Sequence, residues 1–195
     1  MICILDAGHG IDTAGKRSPD GVLREYKYCR EIAAEVVKRL KTMGYNAQLL
    51  VTEENDISLG TRCKRVNDVC KHFGKTNVLV VSIHLDAKGY GTTWMDARGC
   101  SMRVWLKASS GSKQLASYLY DAAAAQGLKV RSPKPGQKWW AQDLAICRDT
   151  LCSAVLTESG FMDNKKDYEW LLSDKGREAV ISYHVNGIIN YIKSL

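Results

Sequence analysis

The 195-residue chain reads as an α/β protein, a three-layer α/β/α sandwich around a largely parallel, twisted sheet of about six strands. Three observations predict this. Strand-like apolar runs alternate with stretches of helical period, the order that builds βαβ units. The longest run, NVLVVSIHLDA (77–87), is apolar from Val78 to Val81, as a strand buried on both faces must be. Finally, His9, His84 and Glu158 each end or follow such a run, and sites in parallel sheets lie at the carboxyl ends of strands.

The elements follow in order. ILDA (4–7) is a strand that ends at Gly8 and Gly10. Residues 26–43 carry Ile32, Val36, Val37, Leu40 and Met43 at helical spacing and stop at Gly44. AQLLV (47–51) is the next strand. Asp56 or Ser58 then caps a helix with the stripe Leu59, Cys63, Val66, Cys70 and Phe73, closed by Gly74. After the strand at 77–87 comes a Gly-rich loop (88–99), then SMRVWLK as a strand and a helix over about 112–126. VRSPKPGQKWWAQD is a long loop. LAIC and AVLTES are predicted as two further strands joined at RDT. Asp163 or Asn164 starts a short helix, and a final helix over about 175–193 carries Ile181, Val185, Ile188, Ile189 and Ile192.

Composition narrows the function classes. Apolar residues make up 45% and charged residues 25%, an ordinary globular balance. No stretch reaches the roughly 20 apolar residues of a membrane span, so membrane insertion is not expected. Lysine and arginine total 28 against 21 aspartates and glutamates, a net charge of +7 that favours a polyanionic partner or surface. No basic run, zinc knuckle or RNP-type aromatic motif accompanies it, so nucleic acid is not the expected partner. The seven cysteines include no CxxC pair and read as small buried hydrophobes of a reducing compartment. A Cys147–Cys152 bridge across RDT is the one pairing left open. No repeat or linker divides the chain, and one domain over 1–195 is expected, without a separate binding domain. The N-terminus enters a strand directly and shows no signal peptide.

Two imidazoles and a carboxylate are a ligand set for catalytic zinc that leaves a position open for water, and a second carboxylate can carry the proton. His9, Glu25, His84 and Glu158 supply those groups. Each has a plainer explanation alone: a turn histidine, a helix N-terminal charge for Glu25, a satisfied core histidine at 84. Glu158 is harder to explain so, because a carboxylate behind AVLT is costly unless it is paired, metal-bound or catalytic. The spacing 9, 25, 84, 158 fits no short helical zinc motif, and it leaves open which carboxylate is the ligand. His72 reads as a solvated helix end and His184 as packing or surface. Trp94, Trp139 and Trp140 lie in loops, where an indole either stacks on a substrate or covers loop backbone.

The segments DAGHG, the helix-opening Glu25, SIHLDA and TESGFMDN resemble, in order and over nearly the whole chain, the signatures of zinc-dependent N-acetylmuramoyl-L-alanine amidases. LGTRCKRVND is similar to that family's Leu-x-x-Arg helix. The resemblance implies hydrolysis of the amide between N-acetylmuramic acid and L-alanine of the peptidoglycan stem peptide. It implies one Zn2+ per chain held by His9, Glu25 and His84, with Glu158 as the catalytic glutamate. Asp86 stands where such enzymes carry Asn or Asp, which implies a supporting role. The loop 88–99 is more elaborate than a minimal version and leaves substrate preference open. Two other readings stay open: a zinc peptidase cutting elsewhere in the stem peptide, and a wall-binding or regulatory module without catalysis. A phage or prophage endolysin, held in the host cytoplasm until release to the wall, is the expected setting. The alternative is a periplasmic or extracellular bacterial enzyme whose leader has been trimmed. A monomer is the expected state.

Overall fold

A computed structural model describes residues 1–195. Its sheet is built on two parallel central strands, β1 (Ile2–Ala7) and β3 (Val78–Asp86). β2 (Asn46–Leu49) lies parallel outside β1, and β6 (Ser153–Phe161) lies parallel on the other side of β3. β4 (Ser101–Val104) joins β6 antiparallel, and β5 (Trp140–Ala141) adds parallel to β4 at the edge. Every residue of β1 is buried, as are Val78–Ile83 of β3. Central strands covered on both faces need such continuous apolar runs.

Helices α1 (Glu25–Thr42), α3 (Ser110–Ala125) and α6 (Asp174–Lys193) cover one face. α2 (Leu59–Phe73) and the single turn α4 (Ala145–Arg148) cover the other. The first face encloses a core of 36 residues and the second one of 14, so the thinner cover leaves room for an opening at the strand ends. α6 packs against both α1 and α3, which buries Val180, Tyr183, Val185 and Ile188 around its circumference. The intervening α5 (Lys165–Leu172) is capped by Asn164, whose side chain accepts from the Lys166 and Asp167 amides. Ser58, not Asp56, caps α2. No helix is long and apolar enough to cross a membrane.

The sheet has six strands, as expected, but only five are those the sequence predicts. LAIC is a helical turn, with the Cys147 and Arg148 amides both bonded to the Leu144 carbonyl. An apolar run of four residues carries too little period to separate strand from helix. Here the turn places Ile146 and Cys147 in the smaller core, while Arg148 pairs outward with Asp143 and Asp149. The edge position goes instead to Trp140–Ala141, in the segment expected to be loop. The α2 stripe is also shorter than expected: Leu59 and Phe73 are exposed, and Arg62 is buried beside Cys63 and Val66. All seven cysteines are buried and free, including Cys147 and Cys152.

Candidate active site

After β1 the chain turns through Gly8, His9 and Gly10. His9 sits at φ 62°, a left-handed conformation that costs energy for a residue with a Cβ. Its carbonyl accepts from Arg30 Nη1 at 2.8 Å and from Arg62 Nη2 at 3.3 Å, which holds the turn in place. Gly8 is set by close approach, since a Cβ there would lie 2.4 Å from the His84 ring. His84 lies near the end of β3, and its ring meets that of His9 edge-on at 5.1 Å between centroids.

Glu25 opens α1 and is fully buried beneath both imidazoles. Its Oε1 is 3.0 Å from His84 Nδ1 and 3.4 Å from His9 Nε2, and it accepts from the Leu85 amide at 3.0 Å. Its Oε2 is buried with no partner. Burial opposes the Glu25 charge, but bonds from His84 and His9 outweigh it and hold the carboxyl far below the usual carboxylate range. Burial likewise opposes a charge on His84, and Glu25 overrides it, raising the imidazole above its ordinary value. The ligand atoms of His9, Glu25 and His84 all lie within 4.8 Å of one another. Two imidazole nitrogens, a buried carboxylate and an unpartnered carboxylate oxygen fit a divalent cation of the kind that takes mixed N and O ligands.

Glu158 on β6 is the Cα partner of His84 on β3. Desolvation pushes its carboxyl up to about 7, against the lowering effect of His84 and Arg103. Its Oε2 is buried and unpartnered, and Arg103 Nε stands 3.7 Å from Oε1. Asp86 is not one of the clustered ligands: its Oδ2 accepts from Arg103 Nη2 at 2.5 Å and from Arg131 Nη1 at 3.3 Å. It is a brace for two arginines. The fold thus joins three ligands spread over 75 positions of sequence, His9 to His84, and sets beside them a second carboxylate of raised pKa from 74 positions further on.

A family model described as N-acetylmuramoyl-L-alanine amidase matches residues 3–190. The chain belongs to the N-acetylmuramoyl-L-alanine amidase family. Among its relatives, an endolysin of Bacillus phage SPP1 is 31% identical over 189 residues, covering 94% of this chain and 63% of the relative. The amidase AmiC of Neisseria meningitidis serogroup B is 31% identical over 229 residues, covering 99% of this chain and 53% of the relative. The chain therefore spans between half and two thirds of the length of these curated relatives. The fold agrees with the solved amidase Ami1 of Mycobacterium smegmatis at a TM-score of 0.84 and 21% identity, over 100% of this chain and 98% of the other. An amidase of Clostridium difficile gives 0.83 at 23% identity, over 99% and 97%.

In this family member the three loop tryptophans have different surroundings. Trp139 packs against the larger core. Trp94 stacks edge-on with Tyr168 at 5.0 Å and lies under Lys165, in a depression with Met95 and Asn164 that includes none of the cluster residues. Trp140 stands on edge strand β5, with Arg131 5.8 Å from its ring centroid. His72 is exposed at the end of α2. His184 is fully buried, with Nδ1 donating to the Val180 carbonyl and Nε2 accepting from Thr157 Oγ1 at 2.9 Å. A carbonyl only accepts, which fixes this tautomer.

Beside His9 and His84, a pocket of about 400 Å³ opens between α2 and α4, with Ile57, Leu59 and Ile146 among its walls and Asp6, Arg62 and Ser82 also lining it. The Leu-x-x-Arg resemblance marked Arg62 without giving it a role, and in the structure it organises the His9 turn. It donates to Asp6 Oδ1 at 2.5 Å, to the Ala7 carbonyl at 2.7 Å, to Asp56 Oδ1 at 2.9 Å and to the His9 carbonyl. Its four-residue spacing from Val66 also places it on the buried side of α2. Arg103 and Arg131 left no such trace, because their partners come from distant strands.

Proposed function

We propose that residues 1–195 act as a zinc-dependent catalytic domain that hydrolyses the amide between N-acetylmuramic acid and L-alanine in peptidoglycan. The observation that carries this reading is the His9–Glu25–His84 cluster with Glu158 on the adjoining strand, in a chain of the amidase family. His9, Glu25 and His84 would hold the zinc. When bound, zinc supplies Lewis acidity and makes water more acidic. Glu158 takes the proton of the attacking water and then returns it to the departing nitrogen. A carboxyl raised to about 7 suits both steps, because each form is accessible near neutral pH. Arg103, held by Asp86 and Gln142, limits how far that carboxylate can swing. The net charge of +7 favours adsorption to anionic wall polymer. The phage relative named an endolysin supports a wall-degrading role.

Product analysis tests the reading. Purified sacculi treated with the protein should release stem peptides with a free N-terminal alanine, and a chelator should stop the release. Peptide fragments still attached to muramic acid would instead make the protein a stem peptidase. Glu158→Gln keeps the shape of the side chain but not its proton transfer. It should lower turnover by about 10²-fold or more while zinc content stays that of wild type. A parallel fall in zinc would make Glu158 a ligand.

A further inference from the structure

The polar network on the far side of Glu158 is more than the proton transfer needs. Both terminal nitrogens of Arg103 are engaged: Nη1 donates to Gln142 Oε1 at 2.7 Å and Nη2 to Asp86, while its buried Nε lies 3.7 Å from Glu158 Oε1 without a hydrogen bond. Those of Arg131 are not. Only its Nη1 has a side-chain acceptor, the same Asp86 oxygen, at 3.3 Å. Its guanidinium lies 4.7 Å from the Phe161 ring centroid and 5.8 Å from that of Trp140, so its plane is held although its remaining donors are unspent. The side chain is 31% exposed, so a ligand can reach it. Nearby, the indole Nε1 of Trp140 is buried without an acceptor.

Charge points the same way. Two guanidinium groups, those of Arg103 and Arg131, share one carboxylate oxygen, Asp86 Oδ2. One shared oxygen cannot satisfy both arginines, so Arg131, the more exposed of the two, keeps unspent donors. A fixed, planar guanidinium with free donors matches a carboxylate.

We infer that Arg131, braced by Asp86 and stacked on Phe161 and Trp140, binds a carboxylate of the peptide half of the substrate. This rests on the amidase reading, in which Glu158 protonates the leaving amine. The peptide then departs on the Glu158 side and passes the arginines. Two extended residues span on the order of 7 Å, so the residue after the released alanine reaches this shelf. A free carboxylate there is the recognised group, and the opposite, apolar-walled pocket is left to the muramoyl side. Arg131 is thus a specificity residue for the peptide.

The test compares two synthetic muramoyl-peptides that differ only at that second residue, one carrying a carboxylate and the other a carboxamide. Zinc-loaded wild type, Arg131→Ala and Arg131→Lys are assayed on both. Wild type should favour the carboxylate in kcat/KM by about 10-fold or more, the size of a charge-assisted bond. Arg131→Ala should erase that preference, mainly through KM, and Arg131→Lys should restore part of it. Calorimetric binding of the two matching product peptides is measured alongside and needs no turnover. If wild type does not discriminate, or Arg131→Ala slows both substrates equally, the inference is overturned and the amidase reading stands. If wild type cleaves neither substrate, the amidase reading falls. The carboxylate site then survives only if the acidic peptide still binds in an Arg131-dependent way.

Discussion

Replacing Arg62 with Met removes a buried cation while keeping much of its apolar length. Arg62 is 3% exposed and its partner Asp6 is 2% exposed. The variant leaves Asp6 with only the Ser82 hydroxyl, at 2.6 Å. It also strips the donors from the Ala7 and Ile57 carbonyls, whereas the His9 carbonyl keeps Arg30. Breaking a buried pair from one side costs about 3–5 kcal/mol, because the orphaned charge has lost its compensation. Two carbonyls without donors place the expectation at the upper end of that range. Guanidinium unfolding in excess chelator measures it without the stabilisation that a bound metal adds. The double variant Asp6→Asn/Arg62→Met should recover at least about 2 kcal/mol, since the uncompensated charge is gone. Zinc affinity of Arg62→Met should also fall, because the left-handed His9 turn loses one of its two clamps. A loss under about 1 kcal/mol, or strict additivity in the cycle, would refute the view that this pair anchors the turn.

Three further outcomes are expected. His84→Ala should abolish tight zinc binding by competition with a chromophoric chelator, because two protein ligands rarely hold catalytic zinc; stoichiometric retention would remove His84 from the site. His184 is buried as the neutral ring, with its pKa depressed from 6.5 to about 4. It contributes nothing above pH 6.5, where both states are neutral. As pH falls from 6.5 to 4 the unfolded state gains a proton that the folded state refuses, and about 3 kcal/mol of stability is lost. His184→Gln should lack that part of the slope, and superimposable profiles would assign the acid sensitivity elsewhere. Trp139→Ala should lower stability by about 2 kcal/mol, less than the ~3–5 of a fully buried aromatic, whereas Trp140→Ala should weaken binding to sacculi more than it weakens the fold. Equal thermal shifts in the two would show that both are packing residues.

Much of the fold was legible because it is written in short-range periodicity. β1, β3 and β6 are apolar runs, and α1, α3 and α6 carry apolar residues at helical spacing near their observed bounds. LAIC failed because four apolar residues hold no period, and Trp140–Ala141 was missed because two residues make a strand only when β4 offers an edge.

The four candidate residues were visible as types: two histidines at strand ends, a glutamate opening a helix, and a glutamate behind an apolar run. The sequence by itself determined the α/β alternation and put this chemistry at the carboxyl ends of strands, because strand ends and helix starts are local facts. It did not determine who meets whom. Only the tertiary structure brought Glu25 under both imidazoles, set Glu158 opposite His84 across the β3–β6 ladder, and gave Asp86 to Arg103 and Arg131. Those pairings depend on register between strands far apart in the chain. Burial, which lifts the Glu158 carboxyl to about 7, exists only once the sheet and both helical layers have closed around it.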